Sequence, residues 1–128
     1  MCLENEIDVD PEKAKSQIGY VVAIKHNNNY LSFFYPTHSY PYKKGVKYQA
    51  QPKQEGGSYY GFHGFYTIKD VEKYFGRSTI KGDDIALLKC KSEKLIKEGD
   101  AVYFLKPIKS FRAKYRTILE EVKIGEMA

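Results

Sequence analysis

The sequence predicts an α+β domain, a mostly antiparallel sheet of six to seven strands with one central short helix. Three observations carry this. β-Branched and aromatic runs of four to eight residues recur along the chain, as at Ile18–Lys25 and Ile85–Cys90. Turn chemistry separates most of them. One segment alone, opened by Thr67 and closed by Gly76, carries helix start and stop signals.

Taken in order, residues 1–16 read as a polar N-terminal arm or short helix, and 17–128 as a single domain. Ile18–Lys25 is a strand through Val21, Val22 and Ile24, and Asn27-Asn28-Asn29 turns it into a second strand, Tyr30–Phe34. A proline-bearing loop spans Tyr35–Lys44, followed by a third strand, Val46–Ala50. Gln51–Ser58 is a loop turning at Gly56-Gly57, and Tyr59–Phe65 is a short aromatic strand holding Gly61 and Gly64. Thr67 and Asp70 then make a capping-box variant, and Val71, Tyr74 and Phe75 mark the helix's apolar face. Beyond a Gly82-Asp83-Asp84 turn, Ile85–Cys90 and Ala101–Leu105 read as separate strands, the second entered from a Gly99-Asp100 turn. From Phe111, apolar residues alternate with Arg112, Lys114 and Arg116, continuing through Ile118–Val122 as a last strand or a helix.

Composition narrows the function classes. With 42% hydrophobic residues in 128, the chain holds enough apolar material for one core. No apolar run approaches the ~18 residues needed to cross a bilayer, and the opening is acidic rather than basic. The expectation is a cytoplasmic protein of a host cell with no membrane partner. Two cysteines, Cys2 and Cys90, form neither a disulfide framework nor a zinc motif, and Cys90 reads as a small buried hydrophobe. His26 and His38 lack acidic neighbours at ligand spacing, so neither a metal nor a cofactor is expected. Four of the 16 acids stand in the first ten residues, against no base, leaving a basic body with all 21 Lys and Arg. Such a body fits an anionic partner or a solvated lysine-rich surface. Aromatics are concentrated too, with seven of the 12 tyrosines between Tyr30 and Tyr60, as a recognition surface or the edge of a small core.

Three groups of residues are candidates for chemistry. His63 lies between glycines at a strand-to-helix transition, where backbone approaches a ligand closely and the helix start attracts anions. With Gly61, Tyr66 and Thr67 it defines a ligand-binding candidate; a structural histidine donating to a carbonyl is the competing reading. Arg112, Lys114 and Arg116 project to one side of an extended strand at ~6–7 Å spacing, as a binding face for an anion or a charged edge that blocks aggregation. Cys2, exposed by removal of the initiator Met, would be a reactive thiol, although its acidic neighbours raise a thiol's pKa. No catalytic residue is assigned, since phosphate-loop, nucleophile-elbow and paired-carboxylate motifs are all missing from the sequence.

Two resemblances extend this reading. Met1-Cys2-Leu3, the step Tyr42-Lys43-Lys44-Gly45-Val46-Lys47-Tyr48 and the centre Gly61-Phe62-His63 resemble a group of small uncharacterised bacteriophage and mobile-element proteins. That likeness implies a phage-type accessory binding protein engaging a protein or nucleic acid of host or virus, as in counter-defence. The order Gly61-Phe62-His63, helix, apolar strand also resembles poly-ADP-ribose-polymerase-like transferases, with His63 at their nicotinamide-stacking position. This second likeness implies NAD-type transfer or simple nucleotide capture. It departs from that family in lacking a histidine on Gly19–Lys25, and only Glu120 or Glu121 could serve as a catalytic acid.

Overall fold

A computed structural model describes residues 4–10, 15–33, 41–50, 61–103 and 106–123. Seven strands and two short helices run in the order β1 (Glu4–Asp8), β2 (Ser16–His26), β3 (Asn29–Ser32), β4 (Lys47–Gln49), β5 (Phe62–Phe65), α1 (Ile68–Phe75), α2 (Arg77–Ile80), β6 (Ile85–Tyr103) and β7 (Lys106–Val122). Every strand pairing is antiparallel, and the fold is α+β.

Local chemistry explains the tight connections. Asn27 and Asn28 both take positive φ, 48° and 66°, giving the two-residue turn that pairs His26 with Asn29. Thr67 Oγ1 accepts the Asp70 N–H at 3.1 Å and caps α1, whose Val71 is fully buried. Gly76, at φ 84°, ends that helix and donates its N–H to the Glu72 carbonyl at 2.8 Å. A second short helix, α2, follows at once and buries Ile80; the sequence reading missed it because four residues carry no helical periodicity.

Two expectations are corrected. Glu4–Asp8 belongs to no loose arm or helix but forms a strand on β6, tied down by Asn5–Asp100, Asp8–Lys97 and Glu6–Arg112 contacts. Gly99-Asp100 is not a turn. Gly99 pairs with Ser110 inside a 19-residue β6, where a missing side chain suits a bending strand. Of the two readings of the last segment, strand holds, Phe111–Val122 lying within a 17-residue β7. The expected Gly56-Gly57 turn, the start of the Tyr59 strand and most of the Tyr35–Lys44 loop lie outside the described residues.

The sheet closes on itself. Its pairings run β6–β2–β5–β7 and back to β6. Around that circuit Tyr20 meets Phe65, Phe65 meets Ser110 and Ser110 meets Gly99, whereas Tyr20 also pairs directly with Lys89. The path returns to β6 ten residues from where it began, the stagger that a small, strongly tilted barrel requires. The β6–β7 ladder manages the bend with an extra β7 residue, Leu119, opposite Lys89/Cys90, an extra β6 residue, Ile96, between Leu95 and Lys97, and Lys94 at φ 54°.

Both faces of β2 and β6 are covered, so their apolar residues run almost unbroken. Val22 and Leu87 join Phe65, Val71, Ile80 and Ile108 in a cluster under the helices. Val21, Ala23, Ala86, Leu88 and Cys90 form a second cluster with Ile118 on the opposite face. Cys90 is buried with a free thiol, and burial pushes its pKa up.

Candidate functional site

The circuit is joined between β2 and β5 by the single pair Tyr20–Phe65. Beyond it β2 turns to β3, from Ala23 to His26, while Phe62–Gly64 stay paired with β7 alone. The two strands therefore part, and a cavity of about 760 Å³ opens between them. Its described walls include Val22 of β2, Phe33 after β3, Phe62 and His63 of β5, Tyr74 of α1 and Arg116 of β7. Aromatic rings, aliphatic side chains and polar groups share this half-open wall, which also includes Glu4 and Ser32.

His63 is a buried polar group in that wall. Its ring meets Phe65 edge-on at 4.7 Å, and its Nε2 is buried with no hydrogen-bond partner. Burial, reinforced by the positive charge of Arg116 and Arg112, lowers its pKa to about 3. The imidazole is neutral across the physiological range, and its Nε2 has no hydrogen-bond partner among the described residues.

Arg116 supplies the charge. Its guanidinium lies 4.5 Å from the Phe62 ring centre and 5.1 Å from that of Tyr42. Tyr42 is itself braced edge-on by Tyr48 at 4.9 Å. Two aromatic faces thus hold the guanidinium in place. Among the described residues it pairs with no carboxylate.

The other expected site residues are placed differently. Gly61 lines the cavity at φ 111°, with Ile96, Arg112 and Ala113 atoms 3.1–3.2 Å from where a Cβ would stand. Tyr66 points away from the cavity, packing on Phe111 and bonding Glu98, and burial raises its pKa. Thr67 spends its hydroxyl on the helix cap. The four candidates are therefore not one cluster.

The three-residue basic face is corrected as well. Arg112 is 4% exposed and bonds Glu6 at 2.7 Å, so no row of three solvent-facing cations exists on β7. The physical reason is that β5 and β6 flank it while β1 brings an acid to it. Cys2 and His38 lie outside the described residues. Glu121, one of the two acids the transferase likeness would need, pairs with Lys25 at 2.7 Å and accepts from Tyr30 Oη at 3.4 Å.

Sequence reasoning singled out His63 but not the residues beside it in the wall. The Tyr30–Tyr60 enrichment was the available signal for Tyr42. Nothing local tied Tyr42 to Arg116, 74 positions away, because only the β4–β7 register joins them. Among the described residues no three His, Cys, Asp or Glu side chains gather as metal ligands, and no helix is long and apolar enough to cross a membrane. No family model matches the chain, and neither curated proteins nor solved structures give a significant match.

Proposed function

We propose that this chain is a non-enzymatic binding domain that captures a nucleotide-like small molecule in the β2–β5 cavity. The observation that carries the reading is His63 Nε2, buried in the wall of that cavity with no hydrogen-bond partner among the described residues. A buried polar atom left unsatisfied is costly, and a ligand group that bonds it recovers that cost. A planar heterocycle suits the aromatic walls and offers edge groups to imidazole, and a phosphate suits Arg116.

Capture is favoured over turnover by the state of the site. A histidine held neutral near pKa 3 is a poor proton shuttle, and Glu121 is engaged with Lys25 and Tyr30. In a phage-type accessory protein, such capture would sequester a host signalling nucleotide, which is how a counter-defence role would operate.

Thermal shift and calorimetry with AMP, cyclic nucleotides, NAD and unphosphorylated adenosine test this. A nucleotide should raise Tm and be recovered chemically unchanged, with adenosine binding more weakly. His63→Phe, which keeps a ring and removes the nitrogens, and Arg116→Gln should each weaken binding about tenfold or more. Absence of a shift with every nucleotide at millimolar concentration would overturn the proposal, and conversion of NAD to products would replace capture by catalysis.

A further inference from the structure

The outer surface of the barrel carries a second feature, separate from the cavity. Across β4, β7, β6 and β2, Lys47 pairs with Thr117, Thr117 with Lys91 and Lys91 with Ile18. The row two residues along is Gln49, Tyr115, Glu93 and Ser16. Residues two apart on a strand share a face, so these eight positions form one surface, while Tyr48, Arg116 and Ser92 point to the other side.

Lysines converge on Tyr115 at the centre of that surface. Lys47 Nζ lies 4.6 Å from the ring centre, Lys114 Nζ 5.5 Å and Lys94 Nζ 5.6 Å. Lys94 adopts φ 54° beside the Leu95/Lys97 register shift of β6, and its N–H bonds the Lys15 carbonyl. Lys91 is exposed in the adjoining row. The two rows themselves hold two lysines, Lys47 and Lys91, and one carboxylate, Glu93, 3.4 Å from Lys47, while Lys94 and Lys114 bring their ammonium groups to the ring from neighbouring positions outside the rows. Solvent-exposed cation–π contacts are worth only ~0.5–1 kcal/mol each, so they offset little of the mutual repulsion of the amines. A polyanion would offset it.

We propose that this face docks single-stranded nucleic acid, with one base stacked on Tyr115 and the flanking phosphates on Lys47, Lys91, Lys94 and Lys114. An open sheet surface with a central aromatic ring and surrounding cations is the arrangement that reads unpaired bases without sequence preference. A duplex hides its base faces and would use only the lysines. An acidic protein or an anionic lipid surface would likewise use the charges and leave the ring idle, so the tyrosine separates the occupants.

The test is fluorescence anisotropy with a labelled 20-nucleotide oligo-dT, alongside the matching duplex, polyglutamate and phosphatidylserine vesicles. Tyr115→Ala should weaken oligo-dT binding about tenfold, and Tyr115→Phe should bind like the wild type. Lys94→Gln combined with Lys114→Gln should weaken binding and flatten the log–log salt slope by roughly 1.4. Circular dichroism confirms folding; if Tyr115→Ala is unfolded, the double lysine variant and a comparison of Tyr115→Phe with Tyr115→Leu still decide. His63→Phe should bind the oligonucleotide as the wild type does, keeping this surface distinct from the cavity. No binding at low salt, equal affinity for duplex, polyglutamate or vesicles, or indifference to a folded Tyr115→Ala would each overturn the proposal.

Discussion

Phe111 and Gly64 face each other across the β5–β7 ladder, and the Phe111 Cζ lies 2.7 Å from where a Cβ on Gly64 would stand. Gly19 of β2 makes the same approach from the other side, at 2.6 Å. The fully buried ring therefore lies over bare backbone on both strands, at the seam where the circuit closes through Tyr20 and Phe65. Closure of the barrel depends on two absent side chains.

Gly64→Ala should accordingly destabilise the fold by about 1–3 kcal/mol, the usual cost of overpacking. Phe111→Leu should recover part of that loss in the double variant while being destabilising alone. Urea denaturation of the four proteins measures the coupling, and strict additivity would show that ring and glycine do not touch.

Glu6 and Arg112 make a sharper case because the guanidinium is nearly buried, its side chain 5% exposed against 24% for the carboxylate. Glu6→Gln should cost about 2–4 kcal/mol by leaving a buried charge poorly compensated. Glu6→Leu with Arg112→Met should come closer to the wild type than either single variant. Chemical denaturation distinguishes these outcomes.

For His63 the sign follows from a folded pKa of about 3 against an ordinary 6.5. The unfolded chain binds the proton first, so the histidine's contribution is complete above pH 6.5 and is lost as pH falls towards 3. At pH 5 the loss should reach up to ~2 kcal/mol, with a limiting slope of ~1.4 kcal/mol per pH unit. His63→Gln should flatten the stability–pH curve by one proton in that window, and parallel curves for the two proteins would refute the shift.

Thr67→Ala should cost about 1 kcal/mol by removing the acceptor for the Asp70 N–H, and Thr67→Ser should cost much less. Thermal melts suffice to rank the three. A null effect for alanine would mean that α1 is held by Val71 and Tyr74 packing alone.

The fold was most legible where chemistry is local. Asn27-Asn28 announces a tight turn, Thr67 and Gly76 bound a helix, and Ile18–Lys25 reads as strand from its own residues. It was least legible where pairing over long separations decides. Gly99-Asp100 has turn composition but is straightened by Ser110 and Lys109 opposite, and the acidic opening becomes a strand because β6 offers it an edge. At the site the same division holds. His63 was visible between its glycines, whereas Arg112 looked like a surface cation because nothing near it in sequence reveals Glu6, 106 positions away.

That separation also governs the order in which the molecule can assemble. At a synthesis rate of about 5–20 residues per second, β1 waits roughly 5–20 s on the ribosome before Arg112 exists to receive Glu6. Meanwhile the β2–β3 hairpin and α1, whose contacts are close in sequence, have everything they need, but β6 and β7 arrive last and hold nearly every ladder together. High contact order of this kind makes folding slow and concerted. Chains halted before β7 would expose β5 and β6 as unpaired edges, open to chaperones or to one another.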